Sequence, residues 1–129
     1  MSGKLLLDTN AILGFLKGYP SIVALLYNAE TNNLCASVIT RMELLSFHSI
    51  TSEEEKRIRD LLDAISIIPL NAEVEDTAIR LRRATRCKMP DAVVAASAIA
   101  LKATLVTYDQ ELAGTVFPGL VTRLPDDPA

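Results

Sequence analysis

The stretch PDAVVAASAIALKATLVTYD, residues 90–109, decides how the chain is read. Pro90 suits the first residue of a helix, because its missing N–H is one that no helical carbonyl would accept. The spacing predicts that helix over residues 90–102. Ala92, Ala95, Ala96, Ala98 and Ala100 imply that neighbouring elements approach it closely, and the continuous apolar run 92–101 has the length of a buried helix. Thr104 to Thr107 then reads as a strand, followed by Asp109 and a short helical turn. A helix buried along its length and feeding a short apolar strand is the repeating unit of a parallel sheet covered on both faces.

The same alternation extends in both directions. Leu5-Leu6-Leu7 is a short apolar run that ends in Asp8-Thr9-Asn10, a strand handing over to a helix start. A helix is expected over roughly residues 11–17, closed by Gly18-Tyr19-Pro20. Ser21 is read as the cap of a second helix with Ile22, Leu25, Leu26 and Ala29 on one stripe. Leu34 to Val38 is the second strand, and Thr40 to Glu43 matches a capping box opening a helix to about Phe47. Ser52 to Glu55 matches another, with Ile58, Leu61, Leu62 and Ile65 as its apolar stripe. Ile67 to Leu70 is a third strand, placed at an edge or terminus by Pro69. Asn71 caps a helix to about Arg86, and Pro118-Gly119 turns the chain into a last strand near residues 120–124. The expected fold is a three-layer α/β/α sandwich around a parallel sheet of four or five strands, order 3-2-1-4-5. One domain over residues 1–129 is expected, with 125–129 a loose polar tail.

Composition narrows the function. The chain has 129 residues, 50% apolar and 22% charged, which suits one globular core. A formal net charge of −3 argues against nucleic-acid binding by bulk charge, though not against a local basic patch. Cys35 and Cys87 have no metal-type or disulfide-framework spacing, so a reducing compartment is the simplest reading. No apolar stretch is long enough to span a membrane, and a strand starting near Lys4 leaves no room for a signal peptide. A cytoplasmic protein is expected.

Four acids, Asp8, Glu43, Asp91 and Asp109, each sit where a predicted strand or turn hands over to a helix. In a parallel α/β sheet, ligands bind outside the carboxyl ends of the strands. Acids delivered there would repel unless a cation neutralised them. Local readings exist for each one. Asp8 suits a helix cap, Glu43 completes a capping box, and Asp91 is favoured by the dipole at a helix N-terminus. These explain each acid singly but not their common end of the sheet. Oxygen ligands select Mg²⁺ or Mn²⁺ over zinc. The one histidine, His48, is read as a surface residue, so no nucleophile–His–Asp triad can be assembled. No GxxxxGK[ST] phosphate loop is present. Metal-assisted hydrolysis of a phosphodiester remains.

The segments LLLDTNAIL, SVITRMELL and KMPDAVVAASAIALKATLVTYDQEL, taken in order over essentially the whole chain, resemble a PIN domain, in particular the VapC-type ribonuclease toxin of bacterial toxin–antitoxin pairs. The Pro-Asp-Ala segment running through an Ala-rich helix into LVTYD is the most specific part. The resemblance implies that Asp8, Glu43, Asp91 and Asp109 form the family's acidic quartet. Thr9 and Asn10 match its polar pair after the first acid, and Thr107 its hydroxyl before the last. It further implies Mg²⁺- or Mn²⁺-dependent RNA cleavage leaving 5′-phosphate and 3′-hydroxyl ends, an antitoxin partner and a homodimer. The apolar surface of residues 11–26 is the expected interface. Glu111 stands two residues past Asp109 and competes for its role, with Asp109 preferred as nearer the strand end.

Arg80, Arg82, Arg83, Arg86 and Lys88 place five of the chain's 13 basic residues within nine positions leading to Asp91. Two readings stay open: contact with an RNA backbone, or a solvated helix face paired with Glu73, Glu75 and Asp76. Arg41, two residues before Glu43, is a single candidate for substrate or antitoxin contact. With 5% aromatic residues and no Trp, a base-stacking platform is not expected. A phosphoacceptor receiver would need an acidic pair after the first strand and a Lys after the last, where Thr9-Asn10 and Arg123 stand. A haloacid-type phosphatase would want Asp at position 10. The stronger rival is a PIN-like fold that binds RNA or protein without turnover.

Overall fold

The computed structural model describes residues 3–126. Five strands form one sheet: β1 (Leu5–Leu7), β2 (Leu34–Ser37), β3 (Ser66–Ile68), β4 (Thr104–Val106) and β5 (Val121–Arg123). Their order is β3-β2-β1-β4-β5, and every neighbouring pair is parallel. Strands of three or four residues suffice because both faces are buried. Leu7, Leu34, Ala36 and Val106 point to one face, beneath α1 (Thr9–Leu16), α2 (Pro20–Tyr27), α3 (Val38–Leu45) and α4 (Ser52–Ala64). Leu6, Cys35 and Leu105 point to the other, beneath α5 (Ala72–Ala84), α6 (Met89–Leu101) and the short α7 (Gln110–Ala113). The result is the three-layer sandwich expected from the strand–helix alternation.

Ala92, Ala95, Ala96 and Ala98 are all fully buried, which lets α6 lie against both the sheet and α5. Pro69 ends β3, which is an edge strand as its position required. Asn71 caps α5 through its side chain at 2.9 Å from the Val74 N–H. A single 3₁₀ turn, Thr31–Asn33, precedes β2 and was not anticipated. No single helix among the described residues is long and apolar enough to cross a membrane.

Several caps differ from the sequence reading, and each difference has a local cause. Thr40 does not open α3. Ser37 does, accepting from the Ile39 N–H, so the helix begins three residues earlier and Thr40 lies buried within it. The box opening α4 is Thr51 with Glu54, one residue before the Ser52–Glu55 pair. Ser21 does not cap α2, whose N-cap is Tyr19 without a side-chain bond; the Ser21 hydroxyl instead meets that of Tyr108 at 2.8 Å. Within the expected tail Pro125 is buried and Asp126 exposed, and residues 127–129 lie outside the described residues.

Gly14 is where α1 meets the site-bearing end of β4. A Cβ there would fall 2.9 Å from the Tyr108 ring and 3.0 Å from that of Tyr19, which pack edge to face. Gly14→Ala is therefore expected to destabilise the protein by about 1–3 kcal/mol despite its better helix propensity. A denaturant melt that shows stabilisation would refute this packing.

Candidate metal centre

Each of the four acids reaches the carboxyl end of the sheet by a different route. Asp8 follows β1 directly and is almost fully buried. Its Oδ1 accepts from the Thr9 N–H at 2.9 Å, and its Oδ2 from the Thr107 hydroxyl at 2.8 Å. Glu43 comes from the last turn of α3, where its Oε1 accepts from the Thr9 hydroxyl at 2.6 Å. It therefore completes no capping box; a residue 34 positions away holds it toward Asp8. Asp91 lies in the first turn of α6 and is half-buried. Asp109 is the N-cap of α7, with Oδ1 accepting from the Glu111 and Leu112 N–H groups.

Thr107, fully buried just past β4, organises this end of the sheet. Its hydroxyl donates to Asp8 and accepts from the Asp109 N–H at 3.0 Å and from the Asn10 side-chain amide at 3.2 Å. The Asn10 carbonyl oxygen in turn accepts from the Tyr108 N–H at 2.9 Å. Thr9, Asn10 and Thr107 thus hold the Asp8 and Glu43 carboxylates and the β4–α7 turn in one hydrogen-bonded array. Thr107→Val keeps the shape but leaves three polar groups without their partner. We expect a stability loss of about 1–3 kcal/mol and weaker divalent-metal binding by roughly 10–100-fold. Unchanged Mn²⁺ affinity by calorimetry would make the threonine a purely structural residue.

The charges of these acids act on Asp8 and Asp91. Burial, foremost, holds the Asp8 carboxyl above its ordinary range, against the bonds from Thr107 and Thr9, and the charges of Asp91 and Glu43 push it further. Asp91 is raised chiefly by burial, then by Asp109, Glu43 and Glu111, with Lys88 opposing. Among the described residues, however, no three Asp, Glu, His or Cys side chains are drawn together in ready ligand geometry. The donor set is all oxygen, and the mutual repulsion of its members is what a hard divalent cation would relieve. On that ground the residues fit Mg²⁺ or Mn²⁺.

Asp91, Asp109 and Glu111 line one cleft of about 160 Å³, together with Arg86, Cys87, Lys88, Leu112 and Thr115. Glu111, the rival to Asp109, therefore faces the same space; one Asp109 oxygen is committed to the cap, while Glu111 is exposed. Cys87, given no role from the sequence, is part of this wall, and no motif announces it. Arg41 is exposed on α3 and makes no hydrogen bond or ion pair among the described residues. Residues two apart on a helix do not face each other, so its nearness to Glu43 in sequence does not bring it to the acids. His48 is exposed, as expected. A larger open groove of about 740 Å³ beside α2 contains none of the four acids.

A search of curated protein sequences gave no match. Among solved structures, a chain in a toxin–antitoxin complex from Klebsiella pneumoniae is similar at 25% identity, with a TM-score of 0.80, covering 97% of this chain and 100% of that one. VapBC2 from Rickettsia felis, bound to a promoter DNA fragment, is similar at 23% identity and TM-score 0.76, covering 93% and 97%. DNA-bound VapBC from Salmonella typhimurium gives 19% and 0.80, covering 95% and 98%. The last two identities speak to the fold alone. The PIN domain family model matches residues 5–117, nearly the whole described chain, so this protein belongs to the PIN domain family.

Proposed function

We propose that this protein is a divalent-metal-dependent endoribonuclease acting as the toxin of a toxin–antitoxin pair. The observation that carries the reading is the delivery of Asp8, Glu43, Asp91 and Asp109 from four separate elements to one end of the sheet, where their charges act on one another. Similarity at 25% identity to a chain of a toxin–antitoxin complex supports the biological context.

In this reading Asp8, Glu43 and Asp91 hold the principal ion, and Asp109 assists it or holds a second. A bound Mg²⁺ or Mn²⁺ supplies Lewis-acid polarisation of the phosphodiester and a more acidic water. The chain's own residues supply the orientation. Thr107 and the Thr9 N–H fix the plane of the Asp8 carboxylate, and the Thr9 hydroxyl fixes Glu43 through one oxygen. Asn10 keeps the β4–α7 turn, and with it Asp109, in register with β1. Water attacks phosphorus, the bond to O3′ breaks and that oxygen takes a proton, leaving 5′-phosphate and 3′-hydroxyl ends.

An antitoxin polypeptide is the proposed partner and a homodimer the proposed assembly. Much of the apolar content of α1 and α2 is spent on the protein's own core, so exposed Tyr19 and Tyr27 are the main apolar contribution of this region to an interface. The deciding experiment incubates purified protein and single-stranded RNA with Mg²⁺, Mn²⁺ or EDTA. Cleavage with either metal and none with EDTA is expected. Equal cutting in EDTA would defeat the metal mechanism, and RNA binding without turnover would favour the non-catalytic module.

A further inference from the structure

Among the basic residues from the end of α5 to the start of α6, Lys88 is placed against local structural preference. Arg82 and Arg83 lie in the last turn of α5, where a cation suits the helix dipole, and folding alone accounts for them. Arg82 also ties down the connection by donating to the Cys87 carbonyl oxygen at 3.1 Å. Arg86 and Lys88 have no such explanation. Lys88 is the N-cap of α6, a position that favours Ser, Thr, Asp or Asn. It makes no capping hydrogen bond there, and it sets a positive charge at the positive end of the helix dipole. Both side chains are exposed, and neither forms an ion pair among the described residues. The alternative pairing with Glu73, Glu75 and Asp76 does not occur there either.

Both residues line the cleft that holds Asp91, Asp109 and Glu111. A chain with net charge −3 thus carries two exposed cations without a close ion pair in the lining of its acidic cleft, Lys88 acting on Asp91 by its charge, on a short connection fastened by Arg82. We propose that Arg86 and Lys88 form a phosphate-binding rim that holds the backbone of a single-stranded RNA on one side of the cut. The acids alone would repel such a strand. Cations at the rim would seat a neighbouring phosphate and so position the scissile one, contributing affinity without reading bases. This proposal rests on the nuclease reading above and adds the element by which substrate is held.

Its test measures binding apart from cleavage. A short fluorescein-labelled oligouridylate is titrated in EDTA at several salt concentrations, with gels to check that the RNA stays intact. Arg86→Gln/Lys88→Gln should weaken binding roughly 25-fold at about 0.1 M salt, and the slope of log K against log salt should fall by ~1.4, the loss of two phosphate contacts on a single strand. Lys56→Gln/Arg59→Gln removes the same charge from α4, where each residue is already paired with an acid, and should change little. Arg86→Lys/Lys88→Arg should keep the wild-type slope, which separates charge from any folding effect. An unchanged slope in the glutamine pair, or an equal loss in the α4 pair, overturns the rim. So does binding of polyglutamate, rather than RNA, that depends on Arg86 and Lys88. Metal-dependent cleavage measured on the same proteins keeps the two ideas apart. Cleavage with an unchanged salt slope removes the rim and leaves the nuclease; rim-dependent binding without cleavage does the reverse.

Discussion

Asp91→Asn and Asp8→Asn should each reduce metal-dependent RNA cleavage by about a hundredfold or more. Changing a group that merely orients a metal ligand already costs roughly 10–100-fold, and loss of an anionic ligand weakens hold on the ion itself. The two substitutions differ in what else they disturb. Asp8 is buried and accepts from Thr107, so its amide must also share the hydrogen bonds of the array. Asp91 carries no hydrogen bond that the fold depends on, and its burial is partial. Asp91→Asn is therefore the cleaner test, because the protein should remain folded by circular dichroism while turnover is lost. Excess Mn²⁺ should recover part of the activity if the defect is affinity. Full activity in Asp91→Asn at limiting metal would remove this residue from the site and leave it a helix-terminal charge.

Metal-free protein should lose stability as pH rises through the raised carboxyl values, and saturating Mn²⁺ should restore it. Asp8 and Asp91 both have carboxyl groups held above their ordinary range, by burial first and then by neighbouring acids. A raised folded-state value means the folded protein prefers the protonated form. That preference contributes stability below the unfolded value and is lost as pH rises through the folded one. The decline should begin near pH 4, the ordinary carboxylate range, and extend upward to the shifted values. Because the charge of Asp91 acts on Asp8, these two should titrate together. Mn²⁺ at a hundred times its dissociation constant adds about 2.7 kcal/mol, a rise in melting temperature on the order of 10 °C for a domain of this size. Asp91→Asn should raise the melting temperature of the metal-free form and shrink the Mn²⁺ shift. If it lowers the first and leaves the second intact, the acids do not repel one another as described.

The layer order was legible because burial on both faces leaves a plain sequence signal. Leu5-Leu6-Leu7 and the Leu105-Val106 of Thr104-Leu105-Val106 are short apolar runs between helical stripes, and a parallel sheet is the arrangement that spends such runs. Strand order then followed from the handedness of the crossovers. Asp8, Asp91 and Asp109 stood out by their recurrence at the starts of helices, whereas Glu43, read as part of a capping box, lies inside α3. The caps were less legible. Ser37 and Thr40 stand near the start of α3, and Thr51 and Ser52 near that of α4, and the pattern S/T-x-x-E does not say which one has the geometry. Ser37 rather than Thr40, and Thr51 rather than Ser52, were selected by where the strand and turn before them stopped.

What the sequence determined by itself is the set of elements, their parallel packing and the positions where acids could meet, since these depend on periodicity and chain order. Which partner each polar group takes was decided only in three dimensions. Thr9 holds Glu43 across 34 positions, and Thr107 holds Asp8 across 99. Glu111 joins Asp91 in one cleft, Ser21 meets Tyr108 instead of capping its own helix, and Arg86 and Lys88 come to rest at the cleft mouth. A hydrogen bond or a Coulomb interaction acts over a few ångströms, and that separation is fixed by how the helices sit on the sheet, a relation that local spacing does not encode.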